Sequence, residues 1–118
     1  MPRRERDEER EERIKMEITV DAYTEYEQAL GWKIYLEETM DFPFEARCTE
    51  EREVSPLSEG ETVRVVGVSD TEPSLRQQFV TVEWSGSELG VPLSQLESVA
   101  ASEETEQAIA DWDYWLNR

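Results

Sequence analysis

Twenty-nine acidic side chains set against twelve basic ones give these 118 residues a formal charge of −17, and there is no histidine. Charge on that scale restricts how the chain can fold. Carboxylates almost never enter a core unpaired, so the acids must spread over solvent while the apolar residues do the burying. Those apolar residues are only 37% of the chain, yet they include four Trp, four Tyr and three Phe. Each aromatic side chain can bury roughly 150 to 250 Å². A core built on a few large rings is therefore within reach, and a chain of this length suits one core with no second domain.

The sign of the charge also selects partners. A surface this acidic repels phosphates and anionic lipids, so neither nucleic acid nor a membrane is expected to bind it. The opening MPRRERDEER is charged where a secretory signal would be apolar, and no stretch of about 18 apolar residues follows. A cytoplasmic setting is the expectation. Acids are mostly Glu (23, against 6 Asp) and bases mostly Arg (10, against 2 Lys). A Glu-rich, Lys-poor surface is what a halophilic protein would carry, because a Debye length of about 3 Å at 1 M salt removes the self-repulsion. The single cysteine, Cys48, cannot form an internal disulfide and is expected in the core.

Residues 1–13 contain five Arg and six acids and, after Met1 and Pro2, no apolar residue. They read as a charged tail or a solvated helix that contributes nothing to a core, leaving 14–118 as a single acidic α+β domain. Ile14, Met16, Ile18 and Val20 alternate as in a half-buried strand. Thr24-Glu25-Tyr26-Glu27 is a capping box, and the apolar stripe behind it predicts a helix from Thr24 to Met40, stopped before Pro43. Gly31 inside that helix suggests close packing against another element. Strands follow at Phe44–Thr49, Thr62–Val68, Gln78–Trp84 and Leu89–Pro92, with turns between them. Their order, ending in Val91-Pro92-Leu93-Ser94-Gln95-Leu96, predicts a small SH3-like barrel or curved antiparallel sheet closed by a 3₁₀ turn. Ser102 should cap a final helix, with Glu103, Glu104 and Glu106 in its first turn and Trp112, Trp115 and Leu116 on its apolar face. The two helices would pack on the sheet.

Without histidine there is no Ser-His-Asp or Cys-His triad and no HExxH zinc site, and the sequence has neither a phosphate-binding glycine loop nor a CxxC pair. An enzyme is not expected. Hard divalent cations suit the inventory, since Ca²⁺ takes six to eight oxygens from carboxylates, carbonyls and water. EF-hand spacing is absent, so a calcium site would be of another kind.

Met16-Glu17-Ile18-Thr19-Val20-Asp21-Ala22-Tyr23, Gly31-Trp32, Tyr35-Leu36-Glu37, Asp41-Phe42-Pro43-Phe44 and Asp111-Trp112-Asp113-Tyr114-Trp115 resemble the CcbP-type family across residues 14–118. The resemblance implies a small cytoplasmic protein that binds calcium without EF-hands, as a buffer or sensor. It does not place the ligands, which are argued locally. Glu37, Glu38 and Asp41 surround the end of the first long helix, where terminal carbonyls add oxygens and the dipole is negative. Asp111 and Asp113 diverge on the last helix, so at most one joins a given site, with Asp111 beside Glu104 or Gln107 the expected one, and Asp70 and Glu72 form a third pair in a loop. Two other readings stand beside calcium binding. One is an SH3-like module that recognises a protein partner near Trp84; the other is an acidic decoy for a nucleic-acid-binding protein. Oligomeric state is open.

Overall fold

The computed structural model describes residues 7–117. The first half of the expected tail, residues 1–6, lies outside them. The remainder of that segment is helix α1, Glu8–Arg13, whose N-cap Asp7 accepts the Arg10 amide at 3.0 Å. It runs directly into a π-helical segment, Ile14–Ile18, where the strand was expected. Ile14 and Ile18 are both buried and Met16 and Val20 exposed, so burial there repeats every four residues and not every two. The carbonyl of Ile14 accepts the Thr19 amide at 2.9 Å, the wide turn that marks a π-helix.

Helix α2, Glu25–Thr39, begins on the expected capping box: the Thr24 hydroxyl accepts the Glu27 amide, and the Glu27 carboxylate accepts the Thr24 amide, both at 3.1 Å. Gly31 is where the π segment crosses it. A Cβ at that position would stand 2.3 Å from the Ile18 carbonyl oxygen, which explains the glycine.

Strands β1 (Phe44–Cys48), β2 (Thr62–Val68), β3 (Phe79–Trp84), β4 (Ser87–Pro92) and β5 (Leu96–Ala100) form one antiparallel sheet in the order β4-β3-β2-β1-β5. The sheet is open. Its edges, β4 and β5, do not meet, so the SH3-like barrel expectation is corrected to an α+β fold with an open five-stranded sheet. The correction turns on β5, which the sequence reading did not separate from the turn before it. After the expected 3₁₀ turn at Leu93–Gln95, the chain crosses to the far side of β1 instead of returning to β4. Alternation holds along the strands: Phe44, Ala46 and Cys48 of β1, Val63 and Val65 of β2, and Val80 and Val82 of β3 are buried.

Helix α3, Glu103–Asn117, is capped by the Ser102 hydroxyl, which accepts the Thr105 amide at 3.1 Å. It packs against α2, with Trp32 and Trp112 in a T-shaped contact at 5.0 Å and Trp115 at 5.6 Å from Trp32. Trp32 and Trp112 are fully buried, as is Cys48. Among the described residues no helix is long and apolar enough to cross a membrane.

Candidate metal site

The expected ligands are distributed over three separate parts of the fold. Glu37 and Glu38 lie exposed in the last turn of α2, and Asp41 follows its C-terminus. Asp41 is held against the start of α3. Its amide donates to the Thr105 hydroxyl at 2.7 Å, and its Oδ2 accepts the Ser102 hydroxyl at 2.6 Å. One carboxylate oxygen is thereby engaged beside the positive end of a helix, which favours its charge and competes with a cation for it. The sequence reading counted the negative end of α2 here but missed Ser102 and Thr105. The signal was the cap itself, since a hydroxyl that caps one helix is placed to bond whatever packs against that helix end.

Asp70 and Glu72 are exposed in the loop after β2, on either side of Thr71. The Ser69 and Thr71 hydroxyls lie 3.0 Å apart, folding this loop back toward Gly90, where a Cβ would meet the Ser69 hydroxyl at 2.7 Å.

Asp111 and Asp113 diverge, one inward and one outward. Asp113 is exposed, while Asp111 is completely buried. Both Asp111 oxygens are taken. Arg13 donates Nε to Oδ2 at 3.0 Å and Nη2 to Oδ1 at 2.8 Å, the Arg10 guanidinium lies 3.3 Å from Oδ1, and the Tyr35 hydroxyl donates to Oδ2 at 2.6 Å. A calcium ion would have to displace two arginines from this carboxylate, so Asp111 does not fit as a ligand. It is an internal anchor for α1. Neither Glu104 nor Gln107 announced this, because the two arginines come from a segment 98 and 101 residues earlier in the chain that contains nothing apolar after Met1 and Pro2.

The electrostatics of this hub follow from burial. Tyr35 is pushed up to about 12, first by burial and then because its hydroxyl donates to Asp111. The hydrogen bond to Asp111 holds the Arg13 guanidinium more firmly protonated than usual, against the opposing cost of burial. Beside it, Tyr114 receives the Asp7 amide at 3.0 Å and donates to Glu11 at 2.7 Å, and burial raises its hydroxyl too. Arg10 also lies over the Tyr114 ring, 5.9 Å from its centre.

Among the described residues no group of three or more Asp, Glu or Cys side chains stands together as a ready-made metal cage. The donor chemistry nonetheless fits a hard, loosely coordinated ion. Exposed Glu37 and Glu38 lie in the last turn of α2, where the terminal carbonyls are further oxygen donors, and Asp41 just beyond it is bonded to the Ser102 hydroxyl.

Three comparisons bear on the chain. Residues 12–116 match the CcbP family, described as calcium binding. The crystal structure of Anabaena CcbP is 39% identical, covering 100% of this chain and 97% of that one, with a TM-score of 0.87. A calcium-binding protein in its calcium-binding form is 37% identical, covering 94% of this chain and 91% of that one, with a TM-score of 0.80. No curated protein sequence matches significantly.

Proposed function

The chain belongs to the CcbP family of calcium-binding proteins, and on that premise we propose that it binds Ca²⁺ through exposed carboxylates, as a cytoplasmic buffer or sensor and not as an enzyme. The observation that carries the reading is the likeness, over 94% of this chain, to a protein solved in its calcium-binding form.

The residues that would hold the ion are Glu37, Glu38 and Asp41. Two or three carboxylates, terminal carbonyls of α2 and water together supply the six to eight oxygens that calcium takes, without a rigid preformed cage. The exposed pair Asp70 and Glu72 is the second candidate, and the exposed Asp113 is the third. Asp111 is not included, because its oxygens neutralise Arg10 and Arg13. Bound calcium would supply a divalent charge that neutralises the acids at the end of α2, and this chain's part is to offer it Asp41, which already ties that end to the start of α3.

Much of the remaining acidity serves solvation, as in proteins of salty cytosols, and the calcium site is a local concentration within it. The test is a calcium titration followed by amide NMR. Saturable shifts centred on residues 37–41 and 102–105, weakened about tenfold or more by Glu38→Gln with Asp41→Asn, are the expected result. Saturable shifts centred elsewhere, with the double variant binding normally, would move the site.

A further inference from the structure

The start of α3 grips Asp41 at both its backbone amide and its carboxylate, and the grip runs through two hydroxyls in series. The Asp41 amide donates to Thr105 Oγ1 at 2.7 Å, the Thr105 and Ser102 hydroxyls stand 2.9 Å apart, and Ser102 Oγ donates to Asp41 Oδ2 at 2.6 Å. Each hydroxyl has a single proton to give. An ionised carboxylate can only accept, so it claims the Ser102 proton, and the bond between the two hydroxyls is then donated by Thr105. The bonds close into a ring that leaves Asp41 through its amide and returns to it at Oδ2.

The cap of α3 does not need the Thr105 hydroxyl, since Ser102 Oγ caps the helix by accepting the Thr105 amide. Thr105 is completely buried, where a hydroxyl costs free energy unless it is bonded, and valine would fill the same space without that demand. Among the described residues its hydroxyl bonds only Asp41 and Ser102, so what it does is done toward Asp41. Asp41 itself is exposed, and its Oδ1 takes no hydrogen bond from the described residues. One oxygen is held and the other is open.

We propose that Thr105 is a positioning residue of the calcium site, which with Ser102 fixes the Asp41 carboxylate so that Oδ1 is the oxygen offered to the ion. The inference rests on the reading of Asp41 as a ligand and adds to it a buried residue that itself touches no ion. Groups that hold a ligating carboxylate govern metal affinity by about tenfold to a hundredfold. The physical reason is preorganisation: a side chain ordered before the ion arrives loses less freedom when it binds.

The test compares three variants of the full chain, each shown to be folded. Thr105→Val keeps the shape and removes the hydroxyl, Thr105→Ser keeps the hydroxyl, and Ala108→Gly weakens the same helix without removing any bond to Asp41. The first readout needs no calcium: in chelator-treated protein the Asp41 amide proton should move upfield and exchange about tenfold faster in Thr105→Val, and stay near the parent in the other two. The second is calorimetric titration of CaCl₂ at low salt, where Thr105→Val should bind about tenfold more weakly and the other two within about threefold of the parent. Parent-like affinity in Thr105→Val, an unmoved Asp41 amide, or an equal loss of affinity in Ala108→Gly would overturn the proposal. Asp41→Asn alone separates it from the reading beneath it. If that variant loses affinity while Thr105→Val does not, Asp41 is a ligand and only the positioning role falls; if Asp41→Asn binds as the parent does, both fall.

Discussion

Asp111 shows how much one buried carboxylate can organise. It is fully buried, yet it satisfies both oxygens with two arginines and a tyrosine, and so fixes α1 to α3 and α2 at once. Removing one member of a buried charge network leaves the others without compensation, at about 3 to 5 kcal/mol. Arg10 and Arg13 are partly exposed, so Asp111→Asn should cost about 3 kcal/mol, read from the urea midpoint. The same substitution should leave calcium affinity within about threefold of the parent, because the residue is an anchor and not a ligand. The tyrosines give the hub a pH signature. A hydroxyl raised in the folded state stabilises the protein fully below the ordinary tyrosine value of about 10. That contribution disappears as pH climbs through the folded value, about 12 for Tyr35. Thermal stability should therefore fall between about pH 10 and 12, and fall less steeply in Tyr35→Phe, the comparison that isolates this group.

At the level of elements, the sequence was most legible where a local chemical rule acts alone. The Thr24 capping box, the Ser102 cap and the β-branched run Thr62–Val68 each specify their own element, and each appears where expected. It was least legible where the deciding partner is remote. Ile14 to Val20 satisfies a two-residue alternation, but Ile14 and Ile18 also lie four apart. Only the helix α1, anchored through Asp111 and feeding into this segment, decides for the helical choice. Likewise nothing within Leu96–Ala100 says that it pairs with β1 and not with β4, which is the difference between an open sheet and a barrel. For the candidate site, the acids at the end of α2 were legible as acids, but the hydroxyls around Asp41 belong to a helix some sixty residues later. Gly31 offers a test at this scale. Alanine is the better helix former by about 1 kcal/mol, but its Cβ would strike the Ile18 carbonyl at 2.3 Å. Gly31→Ala should therefore destabilise by about 2 kcal/mol, within the usual range for overpacking, and hydrogen exchange should quicken in residues 14–18. A stabilised variant would show that the π segment yields freely.

For the whole molecule, the charge of −17 acts on stability and on binding in opposite directions. Screening relieves self-repulsion, so the melting temperature should rise as KCl increases from about 0.05 to 1 M. The same screening weakens the attraction of exposed carboxylates for a cation, so calcium affinity should fall over that range. The most direct measurement of the central claim is calorimetric titration of CaCl₂ into the folded, chelator-treated full chain at low salt. The account predicts a saturable isotherm that weakens with added KCl and is diminished by Glu38→Gln with Asp41→Asn. Heats no larger than those of dilution, from protein shown to be folded, would contradict it.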